Sequence, residues 1–389
     1  MKRAILLSAF ILLCVAYAHA QNFVDFRVPE HIVSPEDRGD TVILRLAAEY
    51  ATVVQVEASW LSKPVPMYKN EGVWELKFTG LSNDIYYYRF IVDGVPALDP
   101  SNVNVQLLAS GYRSFFVKDG PTTRYFAQAG RRGSVSYVWY ESEILGSSRR
   151  MAVYTPYGYE MEENDDGKGR RIKKKPKQYP VLYLLHDEGG DEESWLEMGR
   201  LAQILDHLIE QGRAVPMIVV MPNCNPVEQA SSRLGLPEIR NARTTSTSIF
   251  ISSFINEIIP FVESHYSAIP EDYGRAACGI GTGGTTVINT AVMYPHIFDF
   301  LLPLSCGVKD NGNLTADFLR VKQGRVRLFW TGCGTADQEA AEASRVLHDA
   351  LQHIHLDHTF YMMPGGRDWG VWRQFLITFS PMIFKYYTD

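Results

Sequence analysis

Cysteine is scarce in this chain of 389 residues: there are five, and no paired C-x-x-C spacing points to zinc. Basic excess is absent as well. The 38 Lys and Arg stand against 44 Asp and Glu, for a formal net charge of −6, so a nucleic-acid-binding surface over the whole protein is not expected. There is no internal repeat, and beyond the first twenty residues no apolar run reaches the ~20 residues that a spanning helix needs. What is present is an ordinary globular balance. Hydrophobic residues make up 46% and charged residues 21%, which supports buried cores and excludes a disordered or collagen-like chain. At roughly 100–200 residues per domain, this length predicts two domains.

Lys2 and Arg3 precede an apolar run over residues 4–17, and Ala18, His19 and Ala20 then flank a cleavage point before Gln21. That layout predicts a secretory signal over residues 1–20, hence export to the periplasm, the cell envelope or the outside. Losing the charges of Lys2 and Arg3 takes the net charge from −6 to −8. Cys14 lies inside the apolar run, where it is not placed for acylation. Cys224, Cys278, Cys306 and Cys333 each end or occupy an apolar run, and both buried free thiols and disulfides are open for them.

Residues 21–118 carry short runs rich in β-branched and aromatic residues, such as residues 41–46, 53–57, 73–78, 86–92 and 114–117, separated by Gly, Asn and Asp turns. This spacing predicts an immunoglobulin-like β-sandwich. Residues 119–133 lack periodicity and are expected to form a linker. Over residues 134–389 strands alternate with amphipathic helical stretches, the pattern of an α/β domain with a mostly parallel sheet. Helices are expected over residues 202–210, 252–265, 285–293 and 337–353. One insert, residues 160–178, runs from acidic to basic. It is expected to be a solvated loop, with an anionic partner as the alternative.

An apolar strand from Arg275 runs into Gly279-Ile280-Gly281-Thr282-Gly283, and a helix follows. Phosphate binding would call for a Gly-Lys-Ser/Thr ending, which does not occur, or for Gly-x-Gly-x-x-Gly in a dinucleotide-binding context, and Gly279, Gly281 and Gly284 carry that spacing without the context. The alternative is the nucleophile elbow, Gly-x-Ser-x-Gly, in which a tight turn lifts a serine above the sheet. Here Gly281 stands at the apex.

Further blocks accompany the elbow: Tyr183-Leu184-Leu185-His186 followed by Asp191 to Trp195, then residues 216–222, 254–262 and 328–334, and Pro364-Gly365-Gly366-Arg367-Asp368-Trp369. In this order they resemble the esterase D-like branch of the α/β-hydrolases, as in feruloyl and acetyl-xylan esterases of carbohydrate esterase family 1. Residues 21–118, with Gly72-Val73-Trp74 and Leu98-Asp99-Pro100-Ser101-Asn102, are similar to the family 48 carbohydrate-binding modules joined to such esterases.

The resemblance implies a serine nucleophile, a histidine base and an orienting acid, with oxyanion donors facing the intermediate. Gly281 occupies the serine position and offers no nucleophile. Arg367 occupies the histidine position and stays protonated near neutrality. Asp337 matches the acid. At the oxyanion positions His186 is followed by Asp187 and Glu188 where the family has glycine, and Thr282 follows the apex; carboxylates there oppose a developing oxyanion. Of the residues that could replace the serine, Thr282 lies one past the apex, Cys278 in the strand and Ser305 at the end of the next strand, and none is expected where the turn would present it; Asp187, Glu188 and Asp337 are an alternative acid–base set. His353, His355 and His358 are expected on the surface, and no metal or cofactor is expected.

Arg367 is expected to face Asp337 as an ion pair, or to hold a ligand carboxylate with its planar fork. Trp369, Trp195 and Trp74 are candidate ligand contacts. In the first domain Trp60, Tyr68, Tyr86, Tyr87 and Tyr88 divide between core and surface. The resulting expectation is an exported, esterase-like protein of xylan-type polysaccharide utilisation that binds glycan or acts as an accessory factor without ester hydrolysis. An active carboxylesterase with an atypical nucleophile and a protein-interaction scaffold are the alternatives.

Overall fold

The computed structural model describes residues 32–108, 111–120, 123–159, 177–236, 247–308 and 312–385. The expected signal segment and residues 160–176 of the charged insert lie outside them. The chain divides into two compact units, Met1–Asp119 and Gly120–Asp389.

The first unit is built of ten strands: β1 (Glu36–Asp37), β2 (Thr41–Ala47), β3 (Val54–Ala58), β4 (Val65–Pro66), β5 (Tyr68–Asn70), β6 (Val73–Thr79), β7 (Ile85–Val92), β8 (Val95–Ala97), β9 (Val105–Leu108) and β10 (Gly111–Val117). They form two antiparallel sheets, β1-β2-β6-β5 and β4-β3-β7-β10-β9, with β8 on β7. Alternation along each strand places one face inward. Val42, Leu44 and Leu46 of β2 and Trp74 and Leu76 of β6 share one core with Val54 and Val56 of β3 and Tyr88 and Phe90 of β7. Below that core Asp99 is buried and accepts hydrogen bonds from Ser34 Oγ at 2.5 Å and Tyr88 Oη at 2.7 Å. A buried carboxylate needs such donors.

The second unit holds a sheet of eight strands: β11 (Ser134–Ser142), β12 (Ser147–Thr155), β13 (Val181–Leu185), β14 (Ile218–Pro222), β15 (Arg275–Ile280), β16 (Phe300–Leu304), β17 (Leu328–Gly334) and β18 (Thr359–Met363). Their order is β11-β12-β14-β13-β15-β16-β17-β18; β12 pairs antiparallel with β11 and β14, and the remaining pairs are parallel. The helices are α1 (Ser194–Glu197), α2 (Leu201–Glu210), α3 (Thr247–Ser253), α4 (Ile259–His265), α5 (Thr282–Met293), α6 (Leu314–Gln323), α7 (Gln338–His353) and α8 (Trp369–Phe379). α1, α2 and α8 cover one face of the sheet, and α3 to α7 the other. The central strands are apolar on both faces, as a doubly covered sheet requires. Because β13 lies between β14 and β15, the chain leaves its carboxyl end to one side and returns on the other. In open α/β sheets ligand clefts form at that switch point.

Three expectations need correction. Residues 123–133 are not a free linker. Thr123–Phe126 forms a 3-10 turn, Tyr125 is buried in the second unit's core with its hydroxyl accepting from Arg213 at 2.7 Å, and Gly133 N donates to Asp206 at 2.8 Å. The stretch expected as a helix over residues 252–265 is already helical at Thr247 and carries a π-turn, Phe254–Ile258, that ends two residues before Pro260. Proline has no N–H and crowds the preceding turn, and the wider turn accommodates it. Finally, α5 begins at Thr282, next to the apex, and not at Thr285. The four cysteines of the second unit are free thiols, three of them buried.

Candidate functional site

β15 ends at Ile280, and Gly281 turns the chain with φ 53° and ψ −116° into α5. Side-chain-bearing residues rarely adopt this left-handed region, so a serine there would be strained and glycine is not. The turn is also tight. A Cβ on Gly279 would strike the Gly283 backbone, and one on Gly283 would strike the His186 carbonyl. The sequence thus retains the elbow backbone and its flanking glycines.

Opposite the apex, β13 delivers His186 and Asp187. His186 is buried; its Nε2 accepts from Cys224 N at 2.8 Å, so its Nδ1 carries the proton that it donates to the Asp187 carbonyl at 2.7 Å. This fixes the backbone at Asp187 and turns its carboxylate over the elbow. Oδ1 accepts from Thr282 N at 2.9 Å, from Glu188 N at 2.8 Å and from Arg367 Nη2 at 2.7 Å, while Oδ2 accepts from Arg367 Nε at 2.8 Å. A Cβ on Gly281 would overlap both this carboxylate and Arg367 Nη2. The space into which an elbow serine projects is therefore filled by an ion pair. The amide after the apex, an oxyanion donor in elbow chemistry, already serves a carboxylate.

Arg367 sits between β18 and α8, on a loop held by Asp368, which accepts from Gly366 N at 2.8 Å and caps α8 through Val371 N at 3.0 Å. Burial works against the guanidinium charge, but the hydrogen bonds and charge of Asp187, with Asp337 and Glu339 adding, outweigh it and hold Arg367 above its ordinary range. The expected pair with Asp337 does not form. Asp337 is buried at the N-cap of α7, where Oδ1 accepts from Ala340 N at 3.2 Å, and Oδ2 has no hydrogen-bond partner. Asp187 wins because it offers both oxygens to the fork. For the same reason Arg367 does not present a free fork to an external carboxylate.

The other expected residues fall as follows. Glu188 is exposed and contributes its amide, not its carboxylate. Trp195 is 1% exposed and donates to the Leu185 carbonyl at 3.1 Å, so it is core and no ligand contact. Trp369 is partly buried and stands edge-to-face between Trp195 and Trp372, with centroids at 5.1 and 5.0 Å. Trp74 is core of the first unit, its Nε1 donating to Ala48 O at 2.9 Å. Of the remaining aromatics there, Tyr87 and Tyr88 are buried, Trp60 and Tyr86 meet edge-to-face, and Tyr68 is 77% exposed. Thr282 Oγ1 faces Asp187 Oδ1 at 3.4 Å. Ser305 is buried and accepts from Trp372 Nε1 at 2.8 Å. Burial pushes the Cys278 and Cys306 thiols up, away from the thiolate a nucleophile needs. His353 and His355 are exposed, and His358 Nε2 meets His348 Nδ1 at 2.7 Å. Among the described residues no cluster of three His, Cys, Asp or Glu is placed to hold a metal.

Two features escape a reading of the sequence alone. One is Asp187 as the partner of Arg367. The other is a buried pair of the second unit, in which Glu192 accepts from Arg150 Nε at 2.6 Å, Ser231 N at 2.8 Å and Asn223 Nδ2 at 3.1 Å. Neither spacing carries a local signal, since the partners lie 180 and 42 residues apart.

An eight-stranded sheet with a strand–glycine–helix elbow at its switch point defines the second unit as an α/β-hydrolase of esterase type. The chain belongs to the esterase family whose model is described as "Putative esterase", which matches residues 142–383. It is 24% identical over 371 residues to an endo-1,4-β-xylanase/feruloyl esterase of Xylanibacter ruminicola, covering 94% of this chain and 45% of that one. It is 25% identical over 286 residues to endo-1,4-β-xylanase Y of Acetivibrio thermocellus, covering 66% and 23%. The chain thus spans less than half the length of these curated relatives. Among solved structures it resembles a ferulic acid esterase of Anaeromyces mucronatus in complex with ferulic acid (TM-score 0.52, 23% identity, 68% of this chain and 96% of that one). It also resembles the enterobactin esterase of Shigella flexneri (TM-score 0.65, 18% identity, 90% and 94%). At these identities the structural likenesses show the fold.

Proposed function

We propose that this chain is an exported, esterase-like protein of xylan-type polysaccharide utilisation that does not hydrolyse esters and acts by binding glycan or as an accessory factor. One observation carries the reading: the Asp187 carboxylate, clamped by Arg367, occupies the space of the absent serine side chain and takes the amide that would face an oxyanion. Acyl transfer needs a nucleophile, a base and free donors at that point, and each is replaced or occupied. The polysaccharide context rests on relatives named as xylanase and feruloyl esterase. The first unit, with two antiparallel sheets on one core, is proposed as an immunoglobulin-like, family 48-type module, and Tyr68 is its available aromatic among the candidates. Export rests on residues 1–20. Purified protein should give no turnover of 4-nitrophenyl acetate or methyl ferulate above buffer, and should be retarded in affinity electrophoresis through xylan. Turnover abolished by Thr282→Ala would instead support an active esterase with an atypical nucleophile.

A further inference from the structure

Sheet edges expose unpaired N–H and C=O groups, and proteins blunt them with short strands, lysine, proline or bulges. Among the described residues most edges here follow that rule. β1, β4, β5, β8 and β9 have two to four residues, with Pro66 in β4 and Pro96 in β8, and β18 has five and runs into Pro364. β11 is the exception. It has nine residues, Ser-Val-Ser-Tyr-Val-Trp-Tyr-Glu-Ser, about 30 Å of edge, and contains no lysine or proline. Its register against β12 is continuous from Ser134–Thr155 to Ser142–Ser147, without a bulge. Val135, Tyr137 and Trp139 share one face and are 39%, 47% and 43% exposed. Tyr137 is held in place from behind, with the Arg150 guanidinium 4.6 Å from its ring centre and Arg150 itself fixed by buried Glu192.

We propose that β11 is the interface of a homodimer, in which the β11 edges of two copies pair antiparallel about Val138 and join their sheets. The strand is self-complementary in that register. Tyr137 falls opposite Trp139 of the second copy, twice, giving two aromatic cross-strand pairs. Ser134 falls opposite Ser142, and Val138 opposite itself. Glu141, the one charged residue of the strand, falls opposite Val135, so no like charges meet. A two-fold contact of this kind closes on itself and does not propagate into fibres.

Light scattering on the full chain over a range of concentrations tests this, with variants at exposed positions. Wild type should show a mass twice that of one chain, falling on dilution. Val135→Glu sets carboxylates opposite each other at two places and should weaken association roughly tenfold. Val135→Lys, opposite Glu141, should leave it equal or tighter, and Glu141→Lys added to Val135→Glu should restore it. A monomer up to the solubility limit, a dimer insensitive to Trp139→Ala, or equal effects of Val135→Glu and Val135→Lys would each overturn the proposal. A monomer that binds xylo-oligosaccharide and loses it with Trp139→Ala would assign the patch to sugar and also overturn it.

Discussion

Asp187→Ala removes the group on which two guanidinium and two backbone donors converge. Hydrogen bonds to a charged group contribute about 1.5–3 kcal/mol when buried, and exposed ion pairs about 0.2–1 kcal/mol. The Arg367 side chain is 39% exposed and that of Asp187 15%, so screening places the pair toward the lower figures, and water can reach the amides of exposed Thr282 and Glu188. The expected loss is about 1–2 kcal/mol, a fall in Tm of roughly 2–8 °C. A double-mutant cycle in urea isolates the pair: Asp187→Ala with Arg367→Ala should couple by about 0.5–1 kcal/mol. In the companion cycle Asp337→Ala costs about 1 kcal/mol as a lost helix cap but couples to Arg367→Ala weakly. Coupling of Arg367 mainly to Asp337, with none to Asp187, would refute the arrangement at the elbow.

Three further outcomes follow from the same geometry. Native alkylation followed by mass spectrometry should label partly exposed Cys224 and leave Cys278, Cys306 and Cys333 unlabelled until unfolding, by at least about tenfold in rate, since burial raises these thiols and each pKa unit removes about nine-tenths of the thiolate. Equal labelling of all four would contradict the packing beneath the elbow. Glu192→Ala leaves buried Arg150 with Glu193 alone and Ser231 N without its acceptor, and should cost about 1–3 kcal/mol by denaturant titration; a loss under about 0.5 kcal/mol would show that water satisfies the site. In the first unit Trp74→Ala should destabilise by about 3–5 kcal/mol as a core truncation, whereas Tyr68→Ala should leave its melting unchanged and lower retardation on xylan. The reverse pattern would exchange their roles.

Much of the fold is written in local patterns. The strands at residues 181–185, 275–280 and 300–304 stand where their apolar runs place them, because strands covered on both faces read as continuous hydrophobic segments. The elbow is legible because close backbone contacts demand glycine at fixed offsets. The alternation of Val135, Tyr137 and Trp139 with serine and valine carries the signal of β11, and the expected linker, residues 119–133, ends just before it. Tyr125 shows the limit of composition: one buried aromatic ties a glycine-rich stretch to the core. Within the site, the replaced serine and histidine are visible by position. The partner of Arg367 is not, since Asp187 and Asp337 both lie near it and only the orientation set by His186 and the helix cap decides between them.

Ester hydrolysis by a small series of variants tests the central claim most directly. Wild type should not turn over 4-nitrophenyl acetate above buffer. Gly281→Ser with Arg367→His should remain inert, because Asp187 still overlaps the new side chain and holds the Thr282 amide. Adding Asp187→Gly should create measurable turnover that is lost when Ser is reverted. Activity in wild type, or equal activity in the double and triple variants, would contradict the occupied centre described for this protein.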